Sequence, residues 1–140
     1  MKFEREKAKP IEPVSEKQLL RGLGFMLRPS DCRIAILTVA DGSYIQVGGS
    51  GMSCVLERRT AAGSHFRASQ HPPVVPWAGI TELRISGGLV RLRQEEFFRM
   101  SQVQDAFLAF YRGAPFPTYI QWRDISHEVA AICSNTNEIA

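Results

Sequence analysis

The residues that could do chemistry are few and widely spaced along this 140-residue chain. The histidines His65, His71 and His127 include no pair at a spacing typical of zinc ligands, and no cysteine pair accompanies them. No glycine-rich turn leads into a predicted helix where a phosphate could bind. We therefore expect no metal site and no bound cofactor.

The segment Gly48–Met52 comes closest to a catalytic motif. Its glycine and serine spacing is nearly that of a nucleophile elbow, but Met52 stands at the last glycine position. The residues that follow alternate like a strand, whereas the motif requires a helix. The segment therefore predicts a turn between two strands, and Ser50 is not expected to act as a nucleophile.

The thiols and carboxylates also have structural interpretations. Cys54 lies on the apolar side of a predicted strand, which indicates core packing. Cys32 and Cys133 flank predicted elements and would need a nearby histidine to act as nucleophiles. The pair Glu95–Glu96 and Asp124 are candidates for acid–base chemistry, but a helix start and a strand end explain them better. We predict that the chain is not an enzyme, with an enzyme of unrecognised class as the alternative.

Positive charge is concentrated in the middle of the chain. Residues 58–93 carry six arginines against Glu82 alone, whereas residues 94–140 carry three basic and six acidic side chains. Such asymmetry bears on partners rather than on fold. It indicates a contact surface for one acidic partner, with a merely solvated face and nucleic-acid binding as alternatives. No helix-turn-helix or RNP-like string accompanies the arginines, so nucleic acid is not the expected partner.

The predicted partner-binding residues combine this basic segment with the proline-rich loop at 70–80. Recognition residues concentrate in loops held by a scaffold, and large aromatics contribute strongly to interfaces. We predict contacts at Arg59, His65, His71, Trp77, Arg84, Arg91 and Arg93.

Two helices are predicted to flank the strands that position these residues. Ser15 and Gln18 have the spacing of a capping box, and apolar residues on one helical face follow them. A second capping spacing joins Ser101 to Gln104, although the helix could begin as early as Gln94, and Gly113 ends it.

Two hairpins are predicted from glycine-containing dipeptides between alternating segments. A two-residue turn at Asp41–Gly42 pairs Ile36 with Val47. A two-residue turn at Gly87–Gly88 directs one polar set of side chains outward and places Arg84 opposite Arg91 and Glu82 opposite Arg93.

The predicted fold class is α+β. An antiparallel sheet of about five to six strands, built from hairpins, carries an N-terminal and a C-terminal helix. We expect a flexible tail at residues 1–14, one domain at 15–133 and a frayed end at 134–140. With no signal peptide, no apolar run of ~18 residues and an odd number of cysteines, we expect a cytoplasmic protein that does not enter membranes.

Several stretches, taken in order, have the pattern of a known family. Ile34–Gly49 is an apolar strand with an Asp-Gly turn and YIQVGG, and Met52–Arg58 is a strand that ends in an acidic–basic pair. Near the end, the helix Val103–Gly113 is followed by two prolines and the strand Ile120–Trp122. Over roughly residues 15–125 this order resembles bacterial polymorphic-toxin immunity proteins, in particular the first-described α+β immunity family, which often accompanies nucleic-acid deaminase toxins.

The resemblance implies a small toxin inhibitor of interbacterial competition. We expect a monomer or a weak homodimer, since a hydrophobic face of the sheet could pair two chains. It would bind its cognate toxin, a deaminase or another nucleic-acid-targeting toxin, and occlude the active site or the substrate path. Immunity proteins against such toxins are often acidic, whereas this chain is basic at its centre. That departure leaves the chemistry of the toxin open, or it moves the contact to the acidic C-terminal third.

Overall fold

Two sheets and two helices make up the part of the chain that the structure, a computed structural model, describes, namely residues 1–26, 33–85 and 88–128. In chain order its elements are β1 (Lys2–Arg5), α1 (Glu16–Gly24), β2 (Ile34–Thr38), β3 (Tyr44–Ser50), β4 (Ser53–Arg59), β5 (His65–Ser69), β6 (Ile80–Ile85), β7 (Gly88–Arg93), a 3₁₀ turn (Gln94–Glu96), α2 (Met100–Arg112) and β8 (Gln121–Asp124).

The central sheet has six antiparallel strands in the order β1-β2-β3-β4-β5-β8, and β6 and β7 form a separate two-stranded sheet. This confirms the predicted α+β class and the hairpin construction. Strand β5 is short, and the last strand, β8, covers only Gln121–Asp124. Residues 125–133, whose apolar spacing predicts a short closing helix, lie partly outside the described residues, and the frayed end predicted at 134–140 lies wholly outside them.

The first residues are not a tail. Lys2–Arg5 pair with β2 as an edge strand, and Phe3 is only 1% exposed. Backbone hydrogen bonds of 2.9 Å join Phe3 to Ile11 in both directions, which covers the outer side of this edge. The tail expected at residues 1–14 is therefore corrected: one buried aromatic anchors a segment whose other side chains are charged, a composition suited to an edge strand.

The ends of the helices are fixed by local hydrogen bonds. The predicted capping box is confirmed, because Ser15 Oγ accepts from the Gln18 N–H at 3.2 Å and Gln18 Oε1 accepts from the Ser15 N–H at 2.9 Å. Helix α2 begins one residue before the predicted Ser101, where Gln102 Oε1 accepts from the Arg99 N–H at 3.0 Å. Gly113 ends α2 at a φ of 65°, as its C-cap.

The first hairpin differs from the predicted register by one residue. Ile36 lies opposite Gln46 instead of Val47, because the loop holds three residues and Gly42 takes a φ of 89° at its end. Asp41 Oδ1 accepts from the Ser43 N–H at 2.8 Å and fixes this longer turn. A slip of one residue exchanges the faces of a strand, so Gln46 joins the side of the sheet that carries Ile36.

The second hairpin differs from the predicted register by two residues. Glu82 lies opposite Arg91, and Arg84 lies opposite Leu89 rather than opposite another arginine. An even slip keeps every side chain on its predicted face. The turn is displaced from Gly87–Gly88, since Gly88 already belongs to β7, and residues 86–87 lie outside the described part.

Each face of the central sheet covers its own apolar core. The helix core lies beneath α1 and α2 and includes Leu19, Leu37, Ile45, Leu56 and Phe107. The hairpin core lies between the opposite face and the β6–β7 hairpin, and it consists of the buried residues Ile34, Val55, Val75, Ile85, Val90, Leu92 and Phe97.

Replacement of Phe3 by Ala tests whether the N-terminal strand is part of the folded core. We expect Phe3→Ala to lower the free energy of unfolding by about 3–5 kcal/mol, because the ring fills the helix core. Phe25→Ala is the matched control, since Phe25 is 56% exposed, and it should cost about 1 kcal/mol or less. Urea denaturation measures both, and equal losses would contradict the buried strand.

Candidate partner-binding surface

The outer side of the β6–β7 hairpin is an exposed sheet face with an unusual composition. Ile80 and Leu89 are 56% and 54% exposed on it, although the inward positions of the same strands hold apolar core residues. Strand alternation places its six side chains together. We call this surface the hairpin face and define it as Ile80, Glu82, Arg84, Leu89, Arg91 and Arg93.

Cross-strand pairing distributes charge and apolar area over the hairpin face. Arg93 lies opposite Ile80, and Leu89 lies opposite Arg84. Glu82 lies opposite Arg91 at the centre of the face. Arginine is enriched at protein interfaces, and Ile80 and Leu89 add exposed apolar area to this face.

Trp77 flanks the hairpin in the loop that leads into β6. Its ring is 42% exposed, and it meets the buried ring of Phe97 edge-on, with centroids 5.5 Å apart and an interplanar angle of 83°. The Gln94 side-chain amide donates to the carbonyl of Val75 in the same loop at 3.0 Å. These contacts thus hold Trp77 in a fixed position in the loop before β6, and part of its side chain stays accessible to a partner.

A buried polar row crosses the central sheet beneath the hairpin. Gln46, Glu57, Arg67 and Arg123 are direct neighbours on β3, β4, β5 and β8, and they share the face that carries the hairpin core. We call these four residues the polar row. Glu57 and Arg67 are almost fully buried, which is rare for charged residues that lack partners.

The carboxylate of Glu57 is the acceptor at the centre of the polar row. Gln46 Nε2 donates to it at 3.2 Å, and Arg67 donates through Nε at 2.9 Å and lies 2.8 Å away through Nη2. His65 Nε2 lies 3.3 Å from Glu57 Oε1. Two nitrogens of Arg67 at Oε2, and Gln46 and His65 at Oε1, thus replace the water that the carboxylate loses on burial.

Arg67 also joins the sheet to the hairpin. Its Nη1 donates to the Arg91 carbonyl at 3.1 Å and lies 3.9 Å from Glu96 Oε1. Glu96 in turn accepts from the Arg93 N–H at 2.9 Å and from Arg123 Nη2 at 2.9 Å. The backbone of β7 is therefore attached to the polar row at two points, and these contacts orient the hairpin face.

The structure brings only some of the predicted contact residues together. Arg84, Arg91 and Arg93 share the hairpin face, and Trp77 flanks it. Arg59 is exposed but lies at the end of β4 in the central sheet. The imidazole of His65 lies 3.3 Å from Glu57 Oε1 in the polar row, away from the hairpin face, and its predicted partner contact stays a prediction.

His71 lines a polar cleft beside the hairpin rather than the face itself. The cleft has a volume of about 250 Å³ and is also lined by Ser69, Arg93, Glu95, Glu96, Gln121, Trp122 and Arg123. Because it is lined by charges of both signs and a half-buried aromatic ring, the cleft is suited to bind polar side chains of a partner. It lies at the Arg93 end of the hairpin face and extends that surface.

Two apolar members of the hairpin face were missed in the sequence. The prediction named only its cations, yet the same alternation that turns Arg84 and Arg91 outward also turns Ile80 and Leu89 outward. The alternation of side chains along the two strands was therefore sufficient to predict that Ile80 and Leu89 face outward. The polar row had a weaker signal, namely Glu57 at an interior strand position two residues after the core residue Val55.

Arg58 lies on the opposite side of the sheet and is enclosed by aromatic rings. Its guanidinium lies 4.9 Å from the ring centroids of Phe66 and Trp122 and 5.3 Å from that of Phe116. Partial burial lowers the pKa of Arg58 from its usual value. Cation–π contacts thus account for this arginine and for Trp122 as structural elements.

Cysteines and possible metal ligands are the remaining candidates for chemistry. Cys54 is buried in the helix core, and burial raises the pKa of its thiol to about 12. Cys32 and Cys133 lie outside the described residues. Among residues 1–26, 33–85 and 88–128, no group of three or more His, Cys, Asp or Glu side chains could hold a metal ion.

No protein-family model matches the chain, and no curated protein matches it. In the described ranges, neither helix combines the length and the apolar character that crossing a membrane requires. We therefore infer function from the hairpin face and from the sequence pattern.

Substitution of Arg67 tests the polar row. We expect Arg67→Met to lower the free energy of unfolding by about 3–5 kcal/mol, because it leaves the Glu57 carboxylate buried with too few donors. The matched control is Arg112→Met, which breaks the exposed pair between Arg112 and Glu16 and should cost less than about 1 kcal/mol. Chemical denaturation gives the free energy of unfolding of both variants. Similar losses would show that the buried polar row contributes no more to stability than an exposed ion pair.

Thiol labelling tests the environment of Cys54. A pKa raised from 9.0 to about 12 keeps the thiol protonated at neutral pH, where only the thiolate reacts. We expect iodoacetamide to modify Cys54 at least about 10-fold more slowly in the native protein than in guanidinium chloride, because burial lowers the thiolate fraction and keeps the reagent away from the sulfur. Mass spectrometry of the Cys54 peptide separates it from the other cysteines. Comparable rates in the two states would contradict a buried thiol.

Proposed function

We propose that this chain is an immunity protein that binds a cognate bacterial toxin domain and neutralises it by occlusion. The single observation that carries the proposal is the hairpin face, where Ile80 and Leu89 are more than half exposed among three arginines. The order of sequence elements that resembles polymorphic-toxin immunity proteins supports the choice of partner.

The charge of the hairpin face specifies the kind of surface it fits. No described carboxylate lies at ion-pair distance from Arg84 or Arg91, although both arginines lie near Glu82 in the ladder. A partner that supplies carboxylates would find cations whose positions are already fixed by a sheet. We infer an acidic patch on the toxin, with small apolar recesses that accept Ile80 and Leu89.

Nucleic-acid binding is the competing use of the same arginines. It is less favoured because the centre of the face carries Glu82, which would repel phosphates, and because the ends carry aliphatic side chains that cannot stack on bases as aromatics do. Trp77 is the one aromatic side chain beside the face that we find exposed among the described residues.

Charge reversal on the hairpin face tests the proposal. We expect Arg84→Glu combined with Arg91→Glu to weaken binding to the toxin domain encoded next to this chain by about 10- to 100-fold, because attraction becomes repulsion. The matched control is Lys17→Glu combined with Arg21→Glu on α1, which changes the net charge equally on the opposite side of the sheet. The control should leave affinity unchanged.

The measurements are titration calorimetry with the purified toxin domain and survival of cells that co-express toxin and chain. Loss of both binding and protection in the hairpin variant alone supports the proposal. Equal affinity of the two double variants would reject this surface. Binding of the unmodified chain to a DNA or RNA duplex that falls steeply with salt, without toxin binding, would favour the nucleic-acid alternative.

A further inference from the structure

Among the strands that the structure describes, β6 has one neighbour. It pairs with β7 in the two-stranded sheet. Its inward residues Thr81 and Leu83 are partly exposed and Ile85 is buried, whereas Val90 and Leu92 of β7 are both buried. Away from Ile85, β6 is therefore less buried than β7. This makes β6 the outer edge of the hairpin.

The hydrogen bonds of β7 show which backbone groups of β6 point outward. The Arg91 carbonyl accepts from Arg67, and the Arg93 N–H donates to Glu96, so both groups point away from β6. In an antiparallel ladder, residues directly opposite each other either exchange both hydrogen bonds or direct them outward together. Glu82 and Ile80, which lie opposite Arg91 and Arg93, therefore direct their N–H and C=O groups to the free edge. By alternation the backbone groups of Arg84 do the same.

These edge groups have no backbone partner in the described part of the chain. Among the described residues, no backbone hydrogen bond outside the ladder with β7 involves residues 80–85. Strand β1, at one edge of the central sheet, is different, because Ile11 bridges to Phe3 along its outer side. Exposed edges are commonly protected by proline, charged side chains or a bulge. Ile80–Ile85 carries the charges of Glu82 and Arg84, but it has no proline and pairs with β7 without a bulge.

We propose that β6 accepts an extended segment of the toxin as an added strand, so that the hairpin becomes a three-stranded sheet in the complex. This inference rests on the proposed function and specifies its contact. The three N–H and three C=O groups of Ile80, Glu82 and Arg84 supply the main-chain hydrogen bonds. Side chains of the added strand would lie beside these residues on the hairpin face.

The charges of the hairpin face describe the added segment. Its residue beside Arg84 is acidic, since that guanidinium has no ion pair among the described residues. Its residue beside Ile80 is apolar, because the isoleucine is exposed and an aliphatic or aromatic neighbour would cover it. A second copy of this chain is the competing occupant of the edge, and the experiments below separate the two.

A proline at the centre of the edge separates strand addition from a contact made by side chains alone. Glu82→Pro removes the outward N–H, yet it leaves the ladder with β7 intact, because the Glu82 N–H points away from β7. Glu82→Ala removes the same carboxylate and keeps the N–H. We expect Glu82→Pro to weaken toxin binding by at least about 10-fold relative to Glu82→Ala, through a lost hydrogen bond and the bulk of the ring.

Hydrogen exchange of the unmodified protein provides a readout that does not depend on the folding of a variant. We expect the amides of Ile80, Glu82 and Arg84 to gain protection when the toxin domain is added, and the amides of Lys2 and Glu4 on β1 to stay unchanged. Equal binding by the two Glu82 variants, together with unchanged edge amides in a formed complex, overturns strand addition while the proposed function stands.

Two further outcomes have distinct meanings. If the unmodified chain does not bind the toxin domain at all, the proposed function itself fails. If the edge amides are protected without toxin, and the protection grows with protein concentration, β6 pairs with a second copy and the toxin strand is rejected.

Discussion

The buried carboxylate of Glu57 is the group on which the arrangement of this molecule depends. Burying a charged carboxylate costs several kcal/mol unless donors replace its hydration. Here the donors come from both neighbouring strands, from Gln46 on β3 and from Arg67 and His65 on β5. A slip of one residue in either pairing would carry the donors to the other face of the sheet. The interaction therefore selects one alignment of β3, β4 and β5, whatever its net contribution to stability.

The same interaction determines where the hairpin lies. Arg67 is neutralised by Glu57 but still has a donor left for the Arg91 carbonyl, and Glu96 links the Arg93 backbone to Arg123 on β8. Apolar packing in the hairpin core holds the two layers together without specifying their rotation, since hydrophobic contact is not directional. Directed hydrogen bonds to the β7 backbone supply that specification. The polar row and Glu96, which lie beneath the hairpin, thus fix the orientation of the hairpin face and of the free edge of β6.

The sequence allowed the faces of the hairpins to be predicted more reliably than their registers. In the second hairpin, clean alternation identified the outward arginines, and a register error of two residues left them outward. In the first hairpin both faces are apolar, so alternation could not reveal an error of one residue. The predicted register therefore placed Val47, instead of Gln46, on the face that carries Ile36. The polar row was not predicted because a charged residue in a strand normally indicates solvent. Glu57 and Arg67 can be buried because they pair with each other, and that pairing depends on a register between strands that is not visible in the local sequence.

The contacts of several other arginines provide a comparison for Arg84 and Arg91 on the hairpin face. Arg67, Arg112 and Arg123 each lie against a carboxylate, and Arg58 is enclosed by three aromatic rings. A chain that satisfies these guanidinium groups internally nevertheless presents Arg84 and Arg91 without an ion pair among the described residues, next to exposed aliphatic side chains. Net charge alone does not explain why apolar area is exposed beside fixed cations. Both features follow from one cause if an acidic and partly apolar surface completes the hairpin, because the partner then supplies to Arg84 and Arg91 the carboxylates that this chain supplies to Arg67, Arg112 and Arg123.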